Sequence, residues 1–250
     1  QKLKLGTVNM WLPSSVMASI HDEFGVFDMP FIIKDRKHMN KVESQVLPGM
    51  FKNLEAKTGY KVIAVWENGF RHITNNVRAI DKPDDLKGIK LRTPKSKWRV
   101  KMFQSYGANP TPMSFSEVFT ALKTGTMDGQ ENPYAQIASA KFQEVQKYLS
   151  ITGHVYTPAY VTVHKDHWNK LPADVQDILE KAAKDTQKFV YKEAAKLEKS
   201  LLKVIKDAGV QVNEADKGAF IAASKGIYDQ FGSEVPTGGA LVKKVSSLAK

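Results

Sequence analysis

Two arginines and one amide side chain carry the most informative chemistry in this sequence. Arg71 directly follows residues 66–70, Arg92 ends a short apolar run, and Asn132 lies within residues 128–133. A guanidinium can hold a carboxylate through two parallel hydrogen bonds, and an amide N–H can donate to the same oxygens. Together the three side chains suggest a carboxylate site, although each one alone could form a surface ion pair or a helix cap.

The charge balance of the chain favours an anionic partner but does not point to nucleic acid. Its 37 lysines and arginines exceed its 26 acidic residues, which gives a formal net charge of +11. Such an excess attracts anions over long range. The basic residues alternate with acidic ones along predicted helices, as in residues 181–206, and no basic tract with interleaved aromatic residues occurs. We therefore expect a small anion as the partner.

Other chemistries find little support in the sequence. There is no cysteine and no Gly-x-Ser-x-Gly turn, so neither a thiol nor a hydrolase serine nucleophile is indicated. The six histidines include no pair four residues apart that could chelate a metal from one helix. No glycine-rich loop suits a phosphate. We expect no metal, nucleotide or other cofactor, and the lack of cysteine suits an oxidising compartment.

The elements that must position these residues follow an α/β pattern, because short apolar runs alternate with amphipathic segments. We interpret residues 66–70 as a turn. Strands are predicted at residues 61–66, 88–92, 149–152 and 159–164. Helix starts are predicted at Thr93-Pro94, at Ser114 or Ser116, and at Asn132-Pro133. Arg92 then lies between a strand end and a helix start, the place where open α/β sheets present ligands.

The longest predicted element is a helix that begins at Pro172 and ends before Gly209. Apolar residues recur along it with helical spacing, which corresponds to a length of about 55 Å. Such a helix exceeds the width of a small domain, so we expect it to lie across two lobes. A coiled coil is the alternative, but the apolar stripe is wider than a coiled-coil seam.

Several longer motifs occur in an order that is highly specific. They are Gly25-Val26-Phe27-Asp28-Met29-Pro30-Phe31, Asn68-Gly69-Phe70-Arg71, and residues 86–92, 107–118, 128–133 and 141–148. In these motifs the chain closely resembles the substrate-binding proteins of tripartite ATP-independent periplasmic (TRAP) transporters, the DctP-like family. The resemblance extends from Leu5 to Gly209 and weakens toward the C-terminus.

The resemblance implies a two-lobed α/β periplasmic-binding-protein fold with a hinge and a long lobe-bridging helix. It implies a periplasmic receptor that closes on a small organic acid and delivers it to the membrane permease subunits. The family's selectivity arginine corresponds to Arg92, its second arginine to Arg71, its amide partner to Asn132, and the aromatic residue that packs on the ligand to Phe115. Lobe I would comprise residues 1–69 and 158–197, and lobe II residues 70–157 and 198–250.

Further residues are candidates for lining the cleft, and the ligand itself stays open. The candidates are the loop from Trp11 to Ser15, which includes Ser14, together with Trp66 and Tyr156 and with Tyr160 nearby, while Lys95, Lys97 and Arg99 would add positive charge near the mouth. If both arginines hold one carboxylate, a monocarboxylate with a hydroxylated or aromatic body fits. If each holds its own, a dicarboxylate or sugar diacid fits, and an aldonic or uronic acid is also compatible.

One departure and two alternatives accompany the resemblance. The family pattern begins with a strand, a helix and a second strand that have no counterpart before Lys2, so we expect the sequence to be part of a longer protein. A binding protein of an ATP-driven importer would share the architecture. An enzyme acting on an organic acid would need a general base, for which Glu67, Glu131 and His72 are the nearby candidates.

Overall fold

The computed structural model describes residues 1–249 and shows an α/β protein with two sheets. The strands are β1 (Tyr60–Phe70), β2 (His72–Asn75), β3 (Lys90–Thr93), β4 (Asn109–Pro112), β5 (Gly129–Asn132), β6 (Tyr148–Ile151), β7 (Tyr156–His164) and β8 (Gln211–Glu214). The helices are α1 (Arg36–Gln45), α2 (Leu47–Thr58), α3 (Lys97–Ser105), α4 (Phe115–Lys123), α5 (Tyr134–Ser139), α6 (Lys165–Trp168), α7 (Ala173–Asp207), α8 (Lys217–Ala223), α9 (Lys225–Glu234) and α10 (Gly238–Ser247).

The larger sheet brings the candidate site residues together. Its strand order is β4-β3-β5-β2-β6-β8, with β3 parallel to both β4 and β5, and β2 antiparallel to β5 and β6. Arg92 on β3 is paired with Gln130 on β5, and β5 ends at Asn132. The smaller sheet pairs β1 with β7 in antiparallel fashion, and Arg71 directly follows β1.

Helix α7 confirms the predicted long helix and packs against both parts of the fold. It spans 35 residues, with Pro172 before it and Gly209 after it at φ +90°. Near its start, Ala183 is buried with Ile63 and Val161 of the smaller sheet. Near its end, Ile205 is buried in a separate apolar cluster beneath α5. One helix therefore joins two apolar clusters.

The predicted turn at residues 66–70 is wrong, because these residues continue β1. The register between β1 and β7 shifts between Glu67 and Gly69, and Gly69 has φ +116°. This is a β-bulge, in which an extra residue bends the strand without ending the pairing. The glycine is explained by the backbone conformation rather than by a chain reversal.

Two predicted helix starts are displaced. Helix α3 begins after Ser96, whose hydroxyl accepts the Arg99 N–H, and not at Thr93-Pro94. Asn132 closes β5, so α5 begins after Pro133. Ser114 does precede α4 as predicted, with its N–H donating to the Glu117 carboxylate at 3.2 Å.

Candidate functional site

A cleft of about 580 Å³ contains most of the predicted site residues. Its walls come from residues 11–16, from the end of β1, from the β3–α3 connection, from the β4–α4 connection and from the β5–α5 junction. The lining residues are Trp11, Leu12, Pro13, Ser14, Ser15, Val16, Asn68, Arg71, Arg92, Pro94, Lys95, Met113, Ser114, Phe115, Asn132 and Gln136. The cleft is thus assembled from segments far apart in sequence.

Arg92 reaches the cleft from β3 with almost no exposure to solvent. Its side chain is 3% exposed, and its Nε and Nη2 donate to the Met113 carbonyl at 3.0 and 2.6 Å. Among residues 1–249, no carboxylate lies within ion-pair distance of this guanidinium. Burial, followed by the charge of Arg71, lowers the pKa of Arg92 to about 10. A bound anion would therefore stabilise the charged form of this buried guanidinium.

Arg71 lines the same cleft but already has a carboxylate partner. Its Nε donates to Glu131 Oε2 at 2.6 Å and its Nη2 donates to Oε1 at 3.0 Å and to the Glu131 carbonyl at 2.5 Å. Burial alone would raise the pKa of Glu131, but Arg71 and Arg99 outweigh it and hold this pKa well below its usual range. Glu131 is therefore an ion-pair partner rather than a poised general base.

A buried charge cluster continues behind Arg71. Arg99 donates from Nη1 to Glu131 at 2.7 Å and from Nη2 to Asp28 at 2.5 Å, and Asp28 also accepts from the Ser96 hydroxyl. His154 Nε2 lies 3.0 Å from Glu131 Oε2. Because a carboxylate only accepts, this nitrogen carries the proton. Burial lowers the pKa of His154, so the ring is neutral and acts as a donor to Glu131.

The cluster has one positive charge more than it has negative charges. Three guanidinium groups, Arg71, Arg92 and Arg99, face two carboxylates, Asp28 and Glu131, and none of the five is more than 3% exposed. An unpaired buried charge is expensive unless a counter-ion reaches it. The excess lies at Arg92, which opens on the cleft. The site is therefore built to accept one further negative charge.

Asn132 lies in the cleft beside the arginines at the end of β5. Its Nδ2 donates to Gln130 Oε1 at 2.5 Å, and Gln130 Nε2 donates to the Thr74 hydroxyl at 2.8 Å. One of the amide hydrogens that we predicted for a ligand is therefore already used. Asn132 is held in place by a buried side chain of its own strand.

Phe115, Trp11 and Ser14 also line the cleft. Phe115 is the first residue of α4 and is 43% exposed, so its ring is available at the surface of the cleft. Trp11 is held by backbone hydrogen bonds of 2.9 Å with Thr162 on β7. The Ser14 hydroxyl donates to the Pro158 carbonyl at 2.7 Å, so its hydrogen bond fixes the loop instead of pointing freely into the cleft.

The structure places Trp66 and Tyr156 outside the cleft, which corrects two predicted positions. Trp66 faces α7, where its Nε1 donates to the Ala183 carbonyl at 3.0 Å. Tyr156 is 1% exposed, packs edge-on against Phe70 and donates to Glu67 Oε2 at 3.1 Å. Both lie on strands, where successive side chains point to opposite faces of the sheet, so a place beside the cleft in sequence does not put a side chain into it.

Of the residues predicted near the cleft mouth, some also lie outside the cleft. Lys95 lines the cleft, whereas Lys97 lies near Asp22 and Glu234 at the surface. Arg99 is fully buried behind the cleft, and Tyr160 is buried in the main core. Of this group, only Lys95 can contact a ligand in the cleft.

Two polar side chains of the cleft, Asn68 and Gln136, were not predicted as ligand contacts. The Ser15 hydroxyl is buried without a hydrogen-bond partner among residues 1–249, and Gln136 donates to Asn68 Oδ1 at 3.1 Å across the cleft wall. Asn68 belongs to a motif that carries the family resemblance and Gln136 lies four residues after Asn132, so both had a signal in the sequence. Ser15 ends the loop from Trp11 that was predicted to line the cleft.

A second cavity, about 630 Å³, lies between α1 and α7, but its arginine is satisfied. Arg36 pairs with Glu67 and with Glu198, both at 2.6 Å. In the part of the chain that the structure describes, no group of three or more histidine or acidic side chains could hold a metal ion. The excess charge at Arg92 therefore makes the first cleft the stronger candidate.

Comparison with known proteins identifies the family. The model for bacterial extracellular solute-binding proteins of family 7, DctP, matches residues 1–234. The chain belongs to this family. The 2,3-diketo-L-gulonate-binding periplasmic protein of Escherichia coli is 37% identical over 247 residues, covering 97% of this chain and 75% of that protein. The C4-dicarboxylate-binding periplasmic protein of Rhodobacter capsulatus is 34% identical over 243 residues, covering 94% and 72%.

A solved structure of a DctP-family protein supports the same conclusion. The sugar acid binding protein of Advenella mimigardefordensis, in complex with galactonate, superimposes with a TM-score of 0.94 at 36% identity, covering 99% of this chain and 81% of that one. The predicted two-lobed TRAP receptor fold with a long helix is thereby confirmed, while the lobe boundaries stay a prediction.

Membership also establishes the general role of this DctP-family chain. Proteins of the family are solute-binding transport receptors rather than enzymes, and the predicted periplasmic location is confirmed by the family match. No helix within residues 1–249 is long and apolar enough to cross a membrane.

Proposed function

We propose that the protein is the extracytoplasmic receptor of a TRAP transporter and that it holds the carboxylate of a small organic acid with Arg92 and Arg71. The observation that carries the proposal is the single excess positive charge buried at the cleft. A ligand carboxylate would neutralise it through charge-assisted hydrogen bonds. The acid would then be delivered to the membrane permease.

The hydrogen bonds of Arg92 support this assignment. Nε and Nη2 are held by the Met113 carbonyl, while no residue within 1–249 accepts from Nη1. The guanidinium is thus fixed in direction before a ligand arrives, which reduces the entropy lost on binding. Arg71, with its orientation set by Glu131, adds a second fixed positive charge.

The compounds named for related proteins support the ligand class. Galactonate, 2,3-diketo-L-gulonate and C4-dicarboxylates are all small organic acids, and the cleft of about 580 Å³ lies in the range of small-molecule sites. Contacts from both lobes would favour the closed state once the acid is bound, and the permease would recognise that state.

The proposal is tested by a thermal-shift screen that pairs each acid with its amide. We would screen galactonate, 2,3-diketo-L-gulonate, succinate and glucuronate on protein first freed of any co-purified ligand. At least one acid should raise the melting temperature by several degrees, and its uncharged amide should not. Equal shifts from acid and amide, or no shift from any acid, would count against carboxylate recognition.

The transporter assignment is tested separately. A receptor of a TRAP system should be encoded beside membrane permease subunits, whereas a receptor of an ATP-driven importer should be encoded beside an ATPase. Uptake of the acid identified in the screen should depend on both receptor and permease genes. Uptake that persists without the permease subunits would overturn the assignment.

A further inference from the structure

A row of four buried side chains leads from the interior of the larger sheet to the cleft. Gln146, Thr74, Gln130 and Asn132 are each no more than 5% exposed and are joined by consecutive hydrogen bonds. Thr74 and Gln130 are directly paired residues of β2 and β5. Only the last member, Asn132, lines the cleft.

Gln146, at the inner end of the row, determines which atom donates in each hydrogen bond along it. Gln146 Nε2 donates to the carbonyls of Asp128 and Val145 at 3.3 and 3.2 Å. A carbonyl accepts only from the amide nitrogen, so Gln146 Oε1 must face Thr74. The Thr74 hydroxyl therefore uses its single proton to donate to Gln146, over a distance of 2.8 Å.

The orientation of the Thr74 hydroxyl in turn fixes the orientation of the Asn132 amide. Since its proton is used, the Thr74 hydroxyl can only accept from Gln130, and Gln130 must turn Nε2 toward it at 2.8 Å. Gln130 Oε1 then faces Asn132 and accepts from Nδ2 at 2.5 Å. Asn132 Oδ1 has no hydrogen-bond partner among residues 1–249.

We propose that Gln130 is a specificity-determining positioning residue, which makes Asn132 present its carbonyl oxygen to the ligand and so selects acids with a hydroxyl group next to the carboxylate. The inference rests on the proposed function. A hydroxyl can donate to Oδ1, whereas an oxo group or a second carboxylate, which can only accept, is repelled by it. An amide turned the other way would present Nδ2, which does not distinguish these groups because hydroxyl, oxo and carboxylate oxygens all accept.

The test measures a ratio of affinities by calorimetry. The pairs are malate against oxaloacetate and galactonate against 2-oxogalactonate, in which the hydroxyl at carbon 2 is replaced by an oxo group that can only accept. The wild-type protein should bind the hydroxy acid of at least one pair about ten-fold more tightly or better, since the oxo ligand directs a second acceptor at Asn132 Oδ1. Gln130→Met keeps the side-chain volume but frees the Asn132 amide to rotate, so this ratio should fall to about two-fold.

A second variant guards against a folding defect. Thr74→Val removes the hydroxyl that orients Gln130 and should lower the same ratio without touching the cleft. A purely structural role would weaken both ligands of a pair equally and leave the ratio unchanged. A wild-type ratio near one, or a ratio unchanged in both folded variants, would overturn the inference while leaving carboxylate recognition standing. If the wild-type protein bound no acid, the proposed function and this inference would fall together.

Discussion

At the scale of single residues, the site is defined by a difference between Arg92 and Arg71: one guanidinium lacks a carboxylate partner within residues 1–249 and the other has one. Arg71 is paired with Glu131, whereas within residues 1–249 Arg92 donates to the Met113 carbonyl alone. The sequence identified both arginines and Asn132 but not their partners. It could not reveal that Glu131 is buried, because a polar run such as Gly129-Gln130-Glu131-Asn132 resembles an exposed loop until its ion-pair partners are known.

The first residue-scale prediction concerns Glu131→Gln. Two of the three buried guanidinium groups would lose their shared carboxylate, so the free energy of unfolding should fall by about 3–5 kcal/mol. Chemical denaturation near neutral pH measures the change. Glu214→Gln, an exposed carboxyl at the end of β8, serves as the control and should have little effect. Equal stability of the two variants would contradict the charge cluster.

The same residue predicts a pH dependence. Because the pKa of Glu131 is lowered in the folded state, its contribution to stability is fully present above the ordinary carboxyl pKa and is lost as the pH falls through the folded value. The wild-type protein should therefore lose more stability between about pH 6 and pH 3 than Glu131→Gln does. Parallel losses in both proteins, measured by denaturation at the two pH values, would be inconsistent with a depressed pKa.

At the scale of helices and strands, a strong periodicity of apolar residues could be recognised in the sequence, whereas strands of unusual composition could not. The spacing of apolar residues predicted α7 nearly to the residue. Strand β4 has the sequence Asn-Pro-Thr-Pro, and prolines are tolerated there because β4 is an edge strand. The end of β1 was missed because Gly69 signals a turn and a bulge equally well.

The β-bulge in β1 leads to a prediction about the stability of a variant at Gly69. Gly69→Ala forces an alanine to φ +116°, so it should destabilise the protein by about 1–3 kcal/mol. Gly49→Ala on α2 is the matched control, because its new methyl group meets no atom within 4 Å and a helical alanine is favoured. Denaturation of both variants gives the comparison. A neutral Gly69→Ala would show that the strand does not hold this conformation.

The whole molecule combines a long bridging helix with a strong positive charge. Helix α7 joins two apolar clusters, which agrees with the lobe-spanning role predicted from its length. The net charge of +11 could not by itself name an anion. In the structure, three buried guanidinium groups lie at or behind one cleft, and the exposed Lys95 lines it.

The net charge predicts salt-dependent ligand capture. The association rate of the acid found by the screen should fall several-fold between about 20 and 300 mM salt, while its dissociation rate changes little. Stopped-flow fluorescence measures both rates. Lys95→Gln at the cleft should slow association more than Lys52→Gln on α2, which does not line the cleft. An association rate independent of salt would mean that the charge does not steer the ligand.

The most direct test of the account compares Arg92→Ala with Arg78→Ala by calorimetry with the acid identified in the screen. Arg78 also donates to backbone carbonyls, those of Asp85 and Lys87 at 2.9 and 2.8 Å, but it is exposed and does not line the cleft, so it controls for the loss of an arginine held by carbonyls. Arg92→Ala should lose about 2–5 kcal/mol of binding free energy, while Arg78→Ala should bind as the wild-type protein does. An Arg92→Ala protein that is folded and binds the acid with unchanged affinity would contradict the claim that the buried excess charge holds the ligand carboxylate.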